Sequence, residues 1–291
     1  MTGKGSDLRD LVAEELSLPV DARVSAVAAA IAAKNGHASR AVLFYGSCLR
    51  EKQLDGLMLD FYLIVSDYRA AYEKSWLAAA NRLIPPNVFY FERNGLAAKY
   101  AVLSRADFRR LTGPETSSVS VWARFAQPAR LVWAADEAAR GQAIDAVARA
   151  APTLLAAAGH IEREPALDWW RRAFALTYSA ELRAERKGRA NSVVDVDPER
   201  YERFSAPATA AIPANLPRQV GWPWRRVEGK FLSVLRLVKA SFTFAGGAEY
   251  IAWKINRHAG ANIELKPWQR RHPLLAGISL LPRLLRSGAV R

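Results

Sequence analysis

The chain reads as an α+β protein, with a mixed sheet followed by helices. Three observations predict this. Short apolar runs rich in β-formers fall between residues 41 and 133 and alternate with helical patterns. Helical periodicity takes over from about residue 136. The last quarter changes again, towards Trp, Leu and Arg. The division that follows is residues 1–135, 136–217 and 218–291.

The elements are predicted in order as follows. Residues 7–17 and 21–34 form two helices; Asp21 is placed to cap the second, whose Val24, Val27 and Ile31 have helical spacing among alanines. Ala41–Tyr45 is a short strand ending at the turn Gly46-Ser47. Leu57–Val65 is almost wholly apolar, so it belongs in the middle of a sheet. Asp67 opens a helix to about Leu83, stopped by Pro85-Pro86. Asn87–Glu92 and Ala98–Ser104 are two further strands, and Leu131–Trp133 a short one. Helices follow over about 136–158 and 165–186, then a Pro- and Ala-rich stretch to Pro217.

Composition narrows the function classes. The 291 residues are 51% hydrophobic, enough for sizeable cores. The single Cys48 excludes an internal disulfide and a cysteine-based zinc site, and the four histidines are scattered without metal-ligand spacing. The acidic N-terminus lacks a secretory core, and no apolar run approaches the ~20 residues of a membrane span. The expectation is a cytoplasmic chain that does not cross a membrane. Net charge is +14, but residues 218–291 hold 14 Lys and Arg against 3 acids, leaving only +3 for the rest. Such a tail is drawn to anionic surfaces, phospholipid or nucleic acid.

The chemistry-bearing segment is Tyr45-Gly46-Ser47, followed by Asp60 inside the apolar strand. A glycine after a strand lets backbone approach a phosphate, and the next residues would open a helix whose N–H groups face an anion. A lone carboxylate among apolar neighbours is costly unless it is paired or binds metal. A triphosphate with Mg2+ needs both halves. The alternative is a glycine turn with an acid at a strand exit. The pattern resembles the polymerase-β-type nucleotidyltransferase signature, except that Tyr62 stands where a second acid is usual. Asp55 and Asp67 read as turn and capping residues, and Cys48 as a small half-buried one.

The segment YGSCLREKQLDGLMLDFYLIVSDYRAAYEKSW more narrowly resembles the mitochondrial translocator assembly and maintenance family, peripheral-membrane CTP:phosphatidate cytidylyltransferases that similarly lack the second acid. AAKYAVLSRADFRRL, WARFAQPARLV and LTYSAELRAERKGRANSVV continue the resemblance in order over roughly residues 41–200. It implies a polymerase-β-like nucleotidyltransferase domain, a helical second domain (winged-helix-like in one form) and a basic amphipathic tail. CTP and phosphatidic acid would react with Mg2+ to give CDP-diacylglycerol and pyrophosphate. Asp60 would hold Mg2+, and Tyr45, Gly46 and Ser47 would form the nucleotide turn. Lys99 would reach a phosphate as a point charge, or be an ordinary edge-strand lysine. Glu181 would supply the missing metal ligand, and Arg183 on the same helix would bind the nucleotide; a surface Glu–Arg helix is the alternative. Arg124 could grip a phosphate or pair with an acid.

In the tail, Phe231–Ala240 and Pro273–Arg286 interleave leucines with cations, suiting helices that lie in a membrane interface, a depth that tryptophans favour. The enzyme would then sit peripherally on the inner face of a membrane. The leucine-rich tail favours lipid over RNA, so no nucleic-acid partner is expected. The competing reading is a degenerate nucleotidyltransferase fold that binds nucleic acid, or one acting on another acceptor.

Overall fold

The structure, a computed structural model, describes residues 7–50, 53–181, 193–218, 220–243 and 267. It is α+β with one mixed five-stranded open sheet. The strands are β1 (Ser39–Tyr45), β2 (Met58–Val65), β3 (Asn87–Arg93), β4 (Leu96–Ser104) and β5 (Ala129–Ala134), in the order β3-β4-β2-β1-β5. β2 is central, as its apolar run predicted. It pairs antiparallel with β1 and parallel with β4; the outer pairs β3–β4 and β1–β5 are antiparallel. The hairpin between β3 and β4 turns through Asn94 and Gly95, both at positive φ, a conformation glycine and asparagine adopt readily.

Helices cover both faces: α1 (Leu8–Leu16), α2 (Ala22–Lys34), α3 (Tyr68–Ala71), α4 (Ser75–Leu83), α5 (Arg105–Thr112), α6 (Trp122–Phe125), α7 (Glu137–Ala148), α8 (Ala150–Ala158), α9 (Ala166–Ala180), α10 (Pro198–Ala210) and α11 (Trp222–Thr243). Several starts are written in the sequence as short polar caps. Asp21, Asp67, Ser104, Asp136 and Asp197 each accept a backbone N–H from the first turn of the helix that follows.

Strand alternation divides the interior in two. Val42, Phe44, Phe61, Leu63, Tyr100 and Val102 face α2, α3 and α4. Leu43, Tyr62, Ile64, Ala101, Leu103 and Leu131 face the other way, into one continuous core with α1 and α5–α10. The helices of residues 136–217 thus bury their apolar stripes in the same core as the sheet. A buried ion pair joins α1 to α10: Arg200 Nη2 lies 3.0 Å from Glu15 Oε1, and Nη1 donates to the Ala126 carbonyl at 3.2 Å.

Three predicted helices differ in outline. The helix from Asp67 is broken at Tyr72, whose backbone is extended. The helix over 136–158 divides at Arg149 into α7 and α8; Pro152 has no N–H to continue the ladder. The helix over 165–186 ends at Ala180, and Glu181 is its extended C-terminal residue. Residues 182–192, including Arg183, lie outside the described residues, as does the predicted 273–286 helix.

Candidate functional site

The strand register places the predicted residues in one row. Tyr45 pairs with Asp60 across β1–β2, Asp60 with Lys99 across β2–β4, and Lys99 with Tyr90 across β4–β3. Residues paired this way share a face, so all four lie on the side of the helical core. They sit one pleat beyond Tyr62, which is buried. The row therefore marks where the packed core gives way to partly exposed side chains.

Asp60 is only partly buried, and Lys99 Nζ lies 3.0 Å from its Oδ1. That oxygen is nevertheless enclosed and makes no hydrogen bond, because the ammonium approaches outside hydrogen-bonding geometry. The interaction is an ion pair alone. Gly46, at φ +93°, turns the chain beside this carboxylate; a Cβ built there would sit 3.4 Å from Asp60 Oδ2. Any other residue would be strained at this φ, and its Cβ would touch the acid. The turn does not open an α-helix as predicted. Ser47–Arg50 is a single 3-10 turn, closed by Leu49 N–H donating to the Gly46 carbonyl at 3.2 Å. Gly46 and Ser47 are exposed, while Cys48 is fully buried beneath them.

Above the row, α6 contributes Arg124, whose Nη1 lies 3.5 Å from Glu181 Oε1 at the end of α9 and also donates to the Ser120 carbonyl. Burial pulls the Arg124 pKa down, but Glu181, with Tyr62, Tyr45 and Asp60, outweighs it and holds the guanidinium above its usual value. The Tyr45 phenol is pushed well above its normal range, by burial first and then by Asp60 and Tyr62, with a hydrogen bond to Arg124 opposing. The Tyr45 ring packs against Tyr62 at 5.2 Å and Phe125 at 6.0 Å. Asp60, Tyr45, Tyr62, Arg124 and Glu181 therefore act on one another as a single electrostatic cluster. Lys99 joins through Asp60.

The predicted caps and turns are also placed. Asp67 caps α3, and Asp55 pairs with Arg23 at 3.2 Å. Two residues that sequence reading left in the tail belong here instead. Arg236 of α11 donates from Nε to the Pro85 carbonyl at 2.9 Å and from Nη2 to Ser118 Oγ at 3.3 Å; Lys239 donates to the Ile84 carbonyl. Only their i, i+3 spacing was visible in advance.

The donor set suits a divalent ion of the Mg2+ type. Among the described residues no three His, Cys, Asp or Glu side chains gather. Mg2+ keeps several waters and substrate oxygens and asks one or two carboxylates of the protein. The enclosed Asp60 oxygen without a hydrogen bond fits that role; Glu181, held by Arg124, is the second carboxylate of the cluster. A cavity of about 260 Å3 opens at the opposite end of the strands, lined by Arg40, Ile64, Arg105 and Phe108; it contains none of these residues.

The surface of α11 is amphipathic. Trp224, Val227, Phe231 and Val234 form an exposed apolar stripe at helical spacing. Among the described residues no helix is long and apolar enough to cross a membrane. Comparison with protein-family models and with curated proteins finds no match for this chain.

Proposed function

We propose that the chain is a Mg2+-dependent phosphatidate cytidylyltransferase working at a membrane surface, converting CTP and phosphatidate to CDP-diacylglycerol and pyrophosphate. The observation that carries this reading is the single row Tyr45–Asp60–Lys99, with the Gly46 turn held against the Asp60 carboxylate. It joins a phosphate-accessible backbone, an acid and a cation, as the sequence resemblance leads one to expect.

In the reaction a phosphatidate oxygen, already ionised, forms a bond to the α-phosphorus of CTP. The bond to the β-phosphate bridging oxygen breaks, and pyrophosphate departs with the electron pair. No general base is needed, so the protein's task is positioning and charge neutralisation. Gly46 and Ser47 border the triphosphate, and Lys99 turns from Asp60 to a phosphate oxygen. Arg124 supports a second oxygen, oriented by Glu181. Asp60 and Glu181 would hold Mg2+, which supplies charge neutralisation on the phosphate oxygens. The exposed α11 stripe and the net +11 of residues 218–291 suit an anionic lipid surface.

The test is pyrophosphate release from CTP with Mg2+ and phosphatidate vesicles. Lipid-dependent release that falls at least about a hundredfold in Asp60→Asn supports the proposal. A wild-type protein inactive with every nucleotide sinks it. A second reading rests on Tyr62 standing where a second acid is usual: a degenerate fold that binds nucleic acid through its basic tail. Retention on RNA without sedimentation on phosphatidate vesicles, at equal salt, would establish that one.

A further inference from the structure

α11 carries two basic side chains inward beside the Arg124–Glu181 pair, and among the described residues no salt bridge engages either of them. Arg236 and Lys239 lie three residues apart on one face of the helix, over the segment that leads into β3. All their hydrogen bonds among the described residues go to neutral oxygens: the Pro85 carbonyl and Ser118 hydroxyl for Arg236, the Ile84 carbonyl for Lys239. A guanidinium or ammonium removed from water is ordinarily paired with an acid. Here burial dominates. It lowers the Arg236 pKa against the opposing pull of Tyr62, Glu181 and Glu228, with Arg124 adding repulsion. It lowers Lys239 to about 7, and Arg236 pushes the same way. Glu181 is engaged by Arg124, and Glu228 accepts from Ser117. Among the described residues neither Arg236 nor Lys239 forms a salt bridge, so the two nitrogen groups are held by neutral oxygens alone.

The close packing that produces this arrangement is specific. Gly229 passes so near the end of α9 that a Cβ would collide with the Ala180 carbonyl, one residue before Glu181. Cations merely left on a solvated surface would need no such approach.

We propose that Arg236 and Lys239, beside Arg124, form a binding subsite for a phosphate monoester dianion. The Arg236 guanidinium matches its charge, the dianion would hold the Lys239 ammonium in its protonated form, and the N–H groups of both side chains can donate to its oxygens. On the cytidylyltransferase reading, on which this assignment of source rests, the dianion is the headgroup of the lipid acceptor; the terminal phosphate of the nucleotide has the same chemistry.

The experiment uses the full chain and three probes: inorganic phosphate, CTP with Mg2+, and a soluble short-chain phosphatidate. Thermal unfolding in phosphate against chloride at matched ionic strength reads the subsite without reference to any reaction. Phosphate should raise the wild-type Tm, leave Arg236→Met and Lys239→Met unshifted, and act again in Arg236→Lys. Calorimetric titration then assigns the source. Phosphatidate affinity falling about tenfold or more in both Met variants, with CTP affinity within about twofold, supports the acceptor headgroup. A fall confined to CTP keeps the subsite and gives it to the nucleotide. Wild-type protein that binds neither substrate, yet is stabilised by phosphate through Arg236 and Lys239, leaves the subsite standing and overturns the reaction. Equal phosphate stabilisation of wild type and Met variants, or none in any, overturns the subsite. Should Arg236→Met fail to fold, Arg236→Lys and Lys239→Met carry the comparison.

Discussion

Lys99 Nζ lies 3.0 Å from Asp60 Oδ1 across the parallel strands β4 and β2, in the same register row as Tyr45. The pair is an ion contact without a hydrogen bond, and Lys99 is nearly half exposed. Such a pair adds little to stability and is easily redirected to a ligand. Asp60→Ala, Lys99→Ala and the double variant should therefore unfold within about 1 kcal/mol of each other. Their pyrophosphate release should fall together, the double variant being no worse than the weaker single one. Denaturation midpoints and turnover measured on the four proteins check both parts.

Gly229→Val should disturb the site from a distance. The new side chain must push α11 away from the Ala180 carbonyl, and overpacking of this kind costs about 1–3 kcal/mol. Arg236 and Lys239 would move with the helix. The expected result is a lowered Tm together with weaker phosphate binding, whereas Gly141→Ala inside α7, where a Cβ meets only Arg9 Nη2 at 3.9 Å, leaves phosphate binding unchanged and raises Tm slightly.

The exposed stripe of α11 gives a prediction about membranes. Burying a Phe side chain in an apolar phase is worth about 1.5–3 kcal/mol. Phe231→Glu should reduce sedimentation with anionic vesicles by about tenfold or more, without lowering Tm, because Phe231 is 62% exposed. Unchanged sedimentation would remove α11 from the lipid contact.

Lys239 makes stability depend on pH in a definite direction. Its folded pKa is about 7 against an ordinary 10.5, lowered by burial and by Arg236. Between those values the unfolded chain holds the proton that the folded one has lost. Stability must then rise with pH across this window, and the contribution is lost as pH falls through 7. Lys239→Met should flatten the rise. Urea midpoints of both proteins at pH 6.5 and pH 9 test this, since the other titrating groups are common to the two.

The Glu15–Arg200 pair belongs to the scaffold. Both side chains are buried, and the guanidinium also holds the Ala126 carbonyl at the end of α6, next to Arg124. Arg200→Ala leaves Glu15 unpaired inside the core and should cost about 3–5 kcal/mol. Glu15→Gln with Arg200→Met should recover much of that loss. Chemical denaturation of the three variants reads the difference.

How much was legible in advance follows from the range of each signal. Apolar runs and short caps are local, and they placed β2 at the centre and started α2 and α3 at Asp21 and Asp67. The Asn94-Gly95 turn is an equally local signal, since asparagine and glycine both accept positive φ. Period-2 alternation already put Asp60 on the face of Tyr62. It could not say that Lys99 is the neighbour of Asp60 in register, because pairing between strands separated by a crossover depends on how whole faces pack. The helix ends were less legible still: Glu181 looked helical because its neighbours favour helix, while the chain actually leaves the helix there to meet Arg124.

By itself the sequence determined the α+β class, the Gly46–Asp60 juxtaposition of chemistry and the concentration of positive charge after residue 218. These depend on spacing, side-chain type and composition. Tertiary structure decided which of those charges face the Arg124–Glu181 pair. α11 returns to the sheet because Gly229 admits the end of α9, and that close approach sets Arg236 and Lys239 against the segment that leads into β3. Packing at that distance is set by the complementarity of two surfaces far apart in the chain, which no local pattern encodes.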